Sequence, residues 1–200
     1  QHLPQFKRWY SQAGTPRVQA TGQYDAAARS YTLTLTQSCA PTPGQNSKEP
    51  FVIPVELGLI DATTGAALPL QLAGESAAGA ASRTVVLTEP TQTLTFVQVD
   101  AEPVPSLLRN FSAPVVLDID YTDAQLLTLL AHDADAFNRW EAGQRLALRT
   151  AINAIANSVY ETSASGIFDH QVLGADFIEA MRSVLRNPAL DAAFKELVLT

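Results

Sequence analysis

The clearest pattern along the chain is an alternation. In Tyr31-Thr32-Leu33-Thr34-Leu35-Thr36-Gln37, the apolar Tyr31, Leu33 and Leu35 alternate with Thr32, Thr34 and Thr36. A two-residue period sends successive side chains to opposite faces of a strand, one buried and one solvated. A second strand is predicted over 52–60, with Val55, Leu57 and Leu59 on one face. Pro54 lies inside it and implies an edge position or a bulge, because proline cannot donate to a ladder. Asp61-Ala62-Thr63-Thr64-Gly65 reads as a turn and 67–72 as the return strand. Further strands are predicted over 17–23, 84–88, 93–99 and 115–121. Seven or so short strands between turn signals point to a β-sandwich of immunoglobulin-like type, although the Cys…Trp…Cys spacing of antibody domains is absent. Residues 40–50 form a polar, proline-containing loop, and residues 74–82 a small-residue loop expected to be mobile.

The period changes after Tyr121. Thr122-Asp123-Ala124-Gln125 has the spacing of a capping box, in which threonine and glutamine satisfy each other's backbone N–H groups. Leu126, Leu127 and Leu130 follow on one predicted helical face. Asp133 or Asp135 is expected to cap a second helix, with Phe137, Trp140, Leu148, Ile152, Ile155 and Val159 as its apolar positions. Asp135–Arg139 and Glu141–Arg145 have the spacing of i,i+4 ion pairs. A loop over 163–169 leads to a third helix bearing Phe177, Met181 and Leu185. Asn187-Pro188 reads as an N-cap with proline at the first position of a last helix carrying Leu190, Phe194 and Leu197. Four amphipathic helices require partners, and a helical array continuing past residue 200 would supply them.

Composition supports the same division. Eleven of the twelve prolines and seven of the ten glycines precede residue 122. These residues punctuate strands and turns and are kept out of helix interiors, so an all-β part over 1–121 is followed by an all-α part over 122–200. The two parts carry 7 basic with 10 acidic and 6 basic with 10 acidic side chains, so they differ in structure and not in charge sign. The net charge of −7 disfavours nucleic acid and anionic membrane surfaces as partners. A lone cysteine, Cys39, makes no internal disulfide, and no apolar run is long enough to span a bilayer. The start, Gln1-His2-Leu3-Pro4, has neither an initiator methionine nor a basic-then-apolar signal pattern, so the chain is expected to be a piece of a longer polypeptide.

Motifs for chemistry are missing. A helical zinc site needs two histidines at i,i+4 with a glutamate beside the first. His132 is followed by Asp133 and faces Ala136; His170 is followed by Gln171 and faces Gly174; His2 stands alone. No G-x-S-x-G elbow, P-loop or G-x-G-x-x-G occurs. Cys39 has no histidine near it in sequence. Asp118, Asp120 and Asp123 crowd a strand end but lack the glycine and terminal glutamate of a calcium loop. Asn110-Phe111-Ser112 formally matches a glycosylation acceptor. Packing is the default role of Trp9, Tyr10, Phe137 and Trp140.

Four segments carry a resemblance. They are Phe6-Lys7-Arg8-Trp9-Tyr10-Ser11-Gln12-Ala13-Gly14-Thr15-Pro16, the 31–37 strand, Pro103-Val104-Pro105-Ser106-Leu107-Leu108-Arg109-Asn110-Phe111-Ser112-Ala113-Pro114-Val115, and His132-Asp133-Ala134-Asp135-Ala136-Phe137-Asn138-Arg139-Trp140-Glu141-Ala142-Gly143-Gln144. In this order they resemble the bacterial aminopeptidase N family of gluzincin zinc metallopeptidases. The first resembles the entry into that family's β-sandwich, the third its closing strands, and the fourth the entry into its C-terminal helical domain. The resemblance implies a parent that removes N-terminal residues from peptides, with zinc held by an H-E-x-x-H helix and a downstream glutamate, and the free amine held by a G-x-M-E-N loop. Neither motif occurs in this sequence, so no catalytic, cofactor or metal residue carries over.

The implied role is a non-catalytic scaffold that joins an upstream catalytic domain to downstream helical repeats enclosing the active-site cavity. Peptide would be bound only by the full-length enzyme, zinc would belong to that parent, and the setting would be the bacterial cytoplasm. Phe6, Trp9, Tyr10, Phe137 and Trp140 are the candidates for packing between domains. An independent adhesion or recognition sandwich with a helical partner-binding segment is the alternative. A small metalloenzyme using Asp118, Asp120 and His132 is a third reading. A helical array cut short exposes an apolar face. Concentration-dependent self-association of residues 1–200 is therefore expected in light scattering; a strictly monomeric species at high concentration contradicts it.

Overall fold

The computed structural model describes residues 2–160 and 174–199; the side chains at 154 and 157–160 are not described. Two compact units are present, Gln1–Asp120 and Tyr121–Thr200.

The first unit is a two-sheet sandwich preceded by two single-turn helices, α1 (Leu3–Phe6) and α2 (Arg8–Ser11). Its strands are β1 (Arg17–Asp25), β2 (Ser30–Ser38), β3 (Ile53–Asp61), β4 (Ala67–Leu68), β5 (Ser82–Leu87), β6 (Thr91–Val97), β7 (Pro103–Leu107) and β8 (Val116–Asp118). One sheet has the order β6-β2-β1-β8, and the other β4-β3-β5 with β7 also paired to β3. The two-residue period of β2 is realised in full: Tyr31, Leu33 and Leu35 point into the core, while Thr34 and Thr36 bond across the outer face to Thr93 and Thr91 at 3.2 and 3.1 Å. Ile53, Val55, Leu57, Leu59, Leu87 and Phe96 complete a core in which each is at most 1% exposed.

Two glycines are fixed by close approach. The Tyr31 ring lies over Gly22 on the neighbouring strand, so that a β-carbon there would stand 1.8 Å from its hydroxyl. The Arg109 guanidinium lies over Gly58, 2.3 Å from where a β-carbon would be. Its Nε donates to Ser106 Oγ at 2.8 Å. The segment holding that arginine is strained: Leu108, Asn110 and Phe111 all have φ between 51° and 57°, a region costly for side-chain-bearing residues.

Several expectations are corrected. The return strand over 67–72 shrinks to Ala67–Leu68, with Leu72 making an isolated bridge to Phe96 in the other sheet. The strand over 115–121 is only Val116–Asp118. β3 is central and not an edge; β7 pairs with Leu57–Asp61 alone, which leaves the Pro54 stretch with a single paired side. The 74–82 loop is pinned: Gly79 N donates to Leu70 O at 2.7 Å, and Arg83 pairs with Glu75 at 2.6 Å.

The second unit contains α3 (Asp123–His132), α4 (Ala136–Tyr160), α5 (Ala175–Arg186) and α6 (Ala192–Leu199). The capping box forms as the sequence requires, with Thr122 Oγ1 accepting from Gln125 N and Gln125 Oε1 accepting from Thr122 N. Asp135 caps α4 by accepting from Asn138 N at 2.9 Å. The buried face of α3 is Leu126, Leu129 and Leu130, with Leu127 only half-buried. On α4 the buried positions are Asn138, Arg139, Ala142, Gly143 and Leu146, while Leu148, Ile152 and Ile155 are exposed despite their helical apolar spacing. Glu141–Arg145 pairs at 3.4 Å. Arg139 turns instead to the Asp133 carbonyl, donating from Nε and Nη2 at 3.0 and 2.6 Å, because a buried guanidinium needs oriented acceptors. The cap of the last helix is Asp191, which accepts from Phe194 N at 2.8 Å; Asn187 makes a local turn to Ala189 N. Val184 and Ala180 carry the buried face of α5, and Phe194 and Val198 that of α6, so Leu185 and Leu197 lie outward. Val159, the 163–169 loop and His170 lie outside the described residues or side chains. No helix among the described residues is long and apolar enough to cross a membrane.

Gln37 sets the sandwich. Its position in the β2 alternation points it inward, where Nε2 donates to Phe51 O and Glu89 O at 3.0 Å each and Oε1 accepts from Phe51 N at 2.7 Å. Gln37→Leu keeps the shape but leaves the buried Phe51 N without its acceptor, Phe51 O with only the 3.5 Å contact from Gln5 Nε2, and Glu89 O without this donor. A loss on the order of 2–4 kcal/mol is expected in urea unfolding, since each unmet buried group costs about 1–3 kcal/mol. A change within experimental error would show that water replaces the amide.

Candidate functional site

The N-terminal turns place three of the candidate residues. Pro4 falls in the first turn of α1, where the lack of an N–H costs nothing. The two turns direct their polar side chains and the indole towards the sandwich. Gln5 Nε2 donates to Thr88 O at 2.6 Å and Pro50 O at 3.2 Å, and Arg8 Nη1 donates to Pro50 O at 2.5 Å. Trp9 Nε1 donates to Val52 O at 2.9 Å, and its ring packs on Phe51 with centroids 4.8 Å apart. Leu3, Phe6 and Tyr10 are left outward, with exposures of 65, 42 and 84%. Phe6 and Tyr10 meet edge to face at 6.2 Å. The segment is thus tied down by its polar side and presents an apolar top. Trp9 belongs to the underside and the other two aromatics to the top.

On the helical unit Phe137 and Trp140 lie on the first turns of α4, ring to ring at 5.6 Å, and both are half-buried. Tyr121 is buried under Arg145, whose guanidinium lies 5.8 Å from the ring centroid. Arg149 ties Tyr121 O and the Asp123 carboxylate at 3.1 and 2.5 Å.

The titratable groups assemble no reaction centre among the described residues. No group of three or more His, Cys, Asp or Glu side chains among them is close enough together to hold a metal ion. Asp123 is engaged by Arg149. His2 precedes α1 on the surface. His132 ends α3, where burial and the Arg139 charge hold its pKa below the usual imidazole value. Burial, and then the charge of Glu102, push the Tyr31 hydroxyl pKa up. Hydrogen bonds from Arg83 and Leu72 N bring Glu75 down to about 2. The Cys39 thiol is half-buried and points to Ala13 O at 3.7 Å. Asn110 Nδ2 donates to both Glu56 carboxylate oxygens at 3.1 Å, which occupies the formal glycosylation acceptor. The groups left at the surface are apolar: the Leu3–Phe6–Tyr10 face, of which the sequence singled out Phe6 and Tyr10, and the exposed stripe on α4. Their i,i+3,i+4 spacing is visible in sequence, but a buried stripe has the same spacing.

A sandwich of this topology followed by stacked helices defines a class. The chain belongs to the family described as a domain of unknown function (DUF3458) with an Ig-like fold, which matches residues 14–120. A companion profile (DUF3458_C), described as ARM repeats, matches residues 123–200. The particular relatives are aminopeptidases. The chain is 35% identical over 198 residues to aminopeptidase N of Escherichia coli, which covers 99% of this chain and 21% of that protein. It is 42% identical over 144 residues to aminopeptidase N of Haemophilus influenzae, covering 72% of this chain and 16% of that protein. To aminopeptidase N of Caulobacter vibrioides it is 39% identical over 197 residues, 98% of this chain and 20% of the relative. A crystal structure of Legionella pneumophila aminopeptidase A in complex with aspartic acid has the same fold, with a TM-score of 0.71 at 24% identity over 99% of this chain and 20% of that one. The chain therefore spans about a fifth of the length of most of the relatives it matches and is homologous to a fragment of aminopeptidase N.

The two faces of the N-terminal segment separate in stability measurements. Trp9→Ala removes a packed ring and a hydrogen bond and is expected to cost about 3 kcal/mol. Tyr10→Ala touches an exposed ring and is expected to stay within about 0.5 kcal/mol. Equal losses in urea unfolding would contradict this arrangement.

Proposed function

We propose that this chain is a non-catalytic scaffold of an aminopeptidase N-like zinc enzyme. The carrying observation is the similarity to aminopeptidases N over almost the whole chain, combined with a span of only about a fifth of their length. Neither an H-E-x-x-H nor a G-x-M-E-N sequence occurs in it. In this reading a catalytic domain elsewhere in the polypeptide holds the zinc and cleaves the N-terminal residue. The described residues offer no donor set that fits zinc, so no step of the reaction is assigned to them.

The scaffold would act by position. The sandwich is stiffened by its closed core and by the Gln5, Arg8 and Trp9 ties, so that a domain seated on Phe6 and Tyr10 is held in a fixed orientation. Trp9 contributes from below by fixing the segment. Phe137 and Trp140 are the corresponding packing residues of the helical unit. A cytoplasmic setting belongs to this reading, and the sources of the relatives support a bacterial one.

The test is direct. Purified residues 1–200 are expected to leave an aminoacyl p-nitroanilide intact and to retain no stoichiometric zinc after dialysis. In the longer polypeptide, Phe6→Ser with Tyr10→Ser is expected to lower the unfolding temperature of the catalytic domain. Hydrolysis by residues 1–200 alone, or an unshifted catalytic domain in the double variant, would overturn the scaffold role.

A further inference from the structure

β1 is paired along its whole length on one side and only at its start on the other. β2 runs opposite all of Arg17–Asp25, whereas β8 meets Arg17–Gln19. Among the described residues no strand pairs with Ala20–Asp25 on the β8 side. A strand edge of this kind presents a row of backbone donors and acceptors to a further chain. The devices that ordinarily blunt it are missing. Ala20-Thr21-Gly22-Gln23-Tyr24-Asp25 holds no lysine or proline, and its register to β2 runs without a bulge. Gly22 lies within this stretch, exposed and without a side chain, because the Tyr31 ring takes that place. A glycine inside a strand lets another backbone approach closely.

The surroundings of the edge define what fits it. Towards the core, Tyr24, Leu117 and Ile119 are half-buried and form an apolar rim. On the outer face, Asp25, Asp118 and Asp120 are exposed. Arg17 is the base that shares this face, two residues before Gln19. Successive side chains of an added strand point to opposite faces. Such a strand would set apolar side chains over the rim and basic ones beside the three carboxylates. A second copy is a poor occupant. Antiparallel pairing of two β1 edges about Gly22 would set Asp25 of each copy opposite Gln19 of the other, beside Asp118. Like charges brought together across a ladder destabilise it.

We infer that the open edge of β1 over Ala20–Asp25 is a docking site for an extended peptide of alternating apolar and basic residues, which adds as a strand beside β1. Backbone hydrogen bonds supply the affinity, and the carboxylates with the apolar rim supply the choice of sequence. This goes beyond the scaffold reading and rests on the sandwich alone.

Fluorescence anisotropy tests it, on residues 1–200 and on the longer polypeptide. The probe is a fluorescein-labelled peptide of alternating lysine and valine, about seven residues long to match the free stretch. Saturable binding with a Kd below about 1 mM is expected for both proteins. The same peptide with glutamate for lysine, and the lysine peptide N-methylated at its central residues, are each expected to bind at least about tenfold weaker. Asp118→Lys with Asp120→Lys is expected to weaken the lysine peptide at least about fivefold without moving the urea midpoint. Should that variant fail to fold, Asp118→Asn with Asp120→Asn takes its place, with a smaller loss in the same direction. Equal binding of the N-methylated peptide overturns the inference, because charge alone would then hold the probe. Equal binding of the glutamate peptide, or an unchanged affinity in the aspartate variants, overturns it too. Binding by residues 1–200 but not by the longer polypeptide means that a segment of the same polypeptide covers the edge. Probe release as unlabelled protein self-associates means that a second copy does. Either result overturns the inference.

Discussion

One side-chain amide holds the sandwich together at its most demanding point. Where β3 begins, its backbone has left the loop but has not met a partner strand on both sides. Gln37 supplies the missing partner. By donating to Phe51 O and accepting from Phe51 N, it reproduces with a side chain the pair of bonds that a neighbouring strand would make. Its second donation, to Glu89 O, ties in the turn between β5 and β6. Gln37 belongs to one sheet and Phe51 leads into the other, so the amide is a polar cross-link across an apolar core. Such a group is tolerable only because all three of these bonds are made.

The same short stretch organises the N-terminal segment. Pro50, Phe51 and Val52 offer carbonyls to Gln5, Arg8 and Trp9, and Phe51 offers its ring to the indole. With Gln37 occupying Phe51 from the core side, the remaining acceptors face outward and are met by the two helical turns. Spending the polar side chains of 5 and 8 in this way leaves Leu3, Phe6 and Tyr10 with nothing beneath them to pack on. Their exposure is therefore a consequence of how the segment is tied and not of a frayed end.

Much of this is legible in the sequence. The alternation of 31–37 is local, and Gln37 continues it as an inward residue. The Thr122–Gln125 box is likewise local and forms as read. What was hidden depended on distant partners. Nothing near Gln37 announces that its amide bonds residue 51. The Pro103–Leu107 strand has two prolines and no alternation, so period and propensity argue against it and only the family resemblance pointed to it, yet it pairs with β3. Asp135 and Arg139 have ion-pair spacing, but burial drew the guanidinium to the Asp133 carbonyl. Asn187-Pro188 carries a strong start signal, but its side chain closes a local turn and the helix waits for Asp191. The packing candidates divided for a similar reason: the indole of Trp9 has an N–H to satisfy and goes under, while the ring of Phe6 has none.

The α4 stripe is the most informative of these departures. Leu148, Ile152 and Ile155 have the spacing of a buried face and are exposed. In the sandwich a comparable apolar content closes on itself, because two sheets present two inner faces to one another. A helical stack has no such closure, since each added layer covers one face and creates another. The exposed stripe therefore has the apolar spacing of a packed layer without the closure that the sandwich provides. The same distinction separates the surfaces of the two units. The sandwich closes its apolar faces on one another around a bonded polar cross-link, whereas the described helices leave Leu148 and Ile152 at the surface.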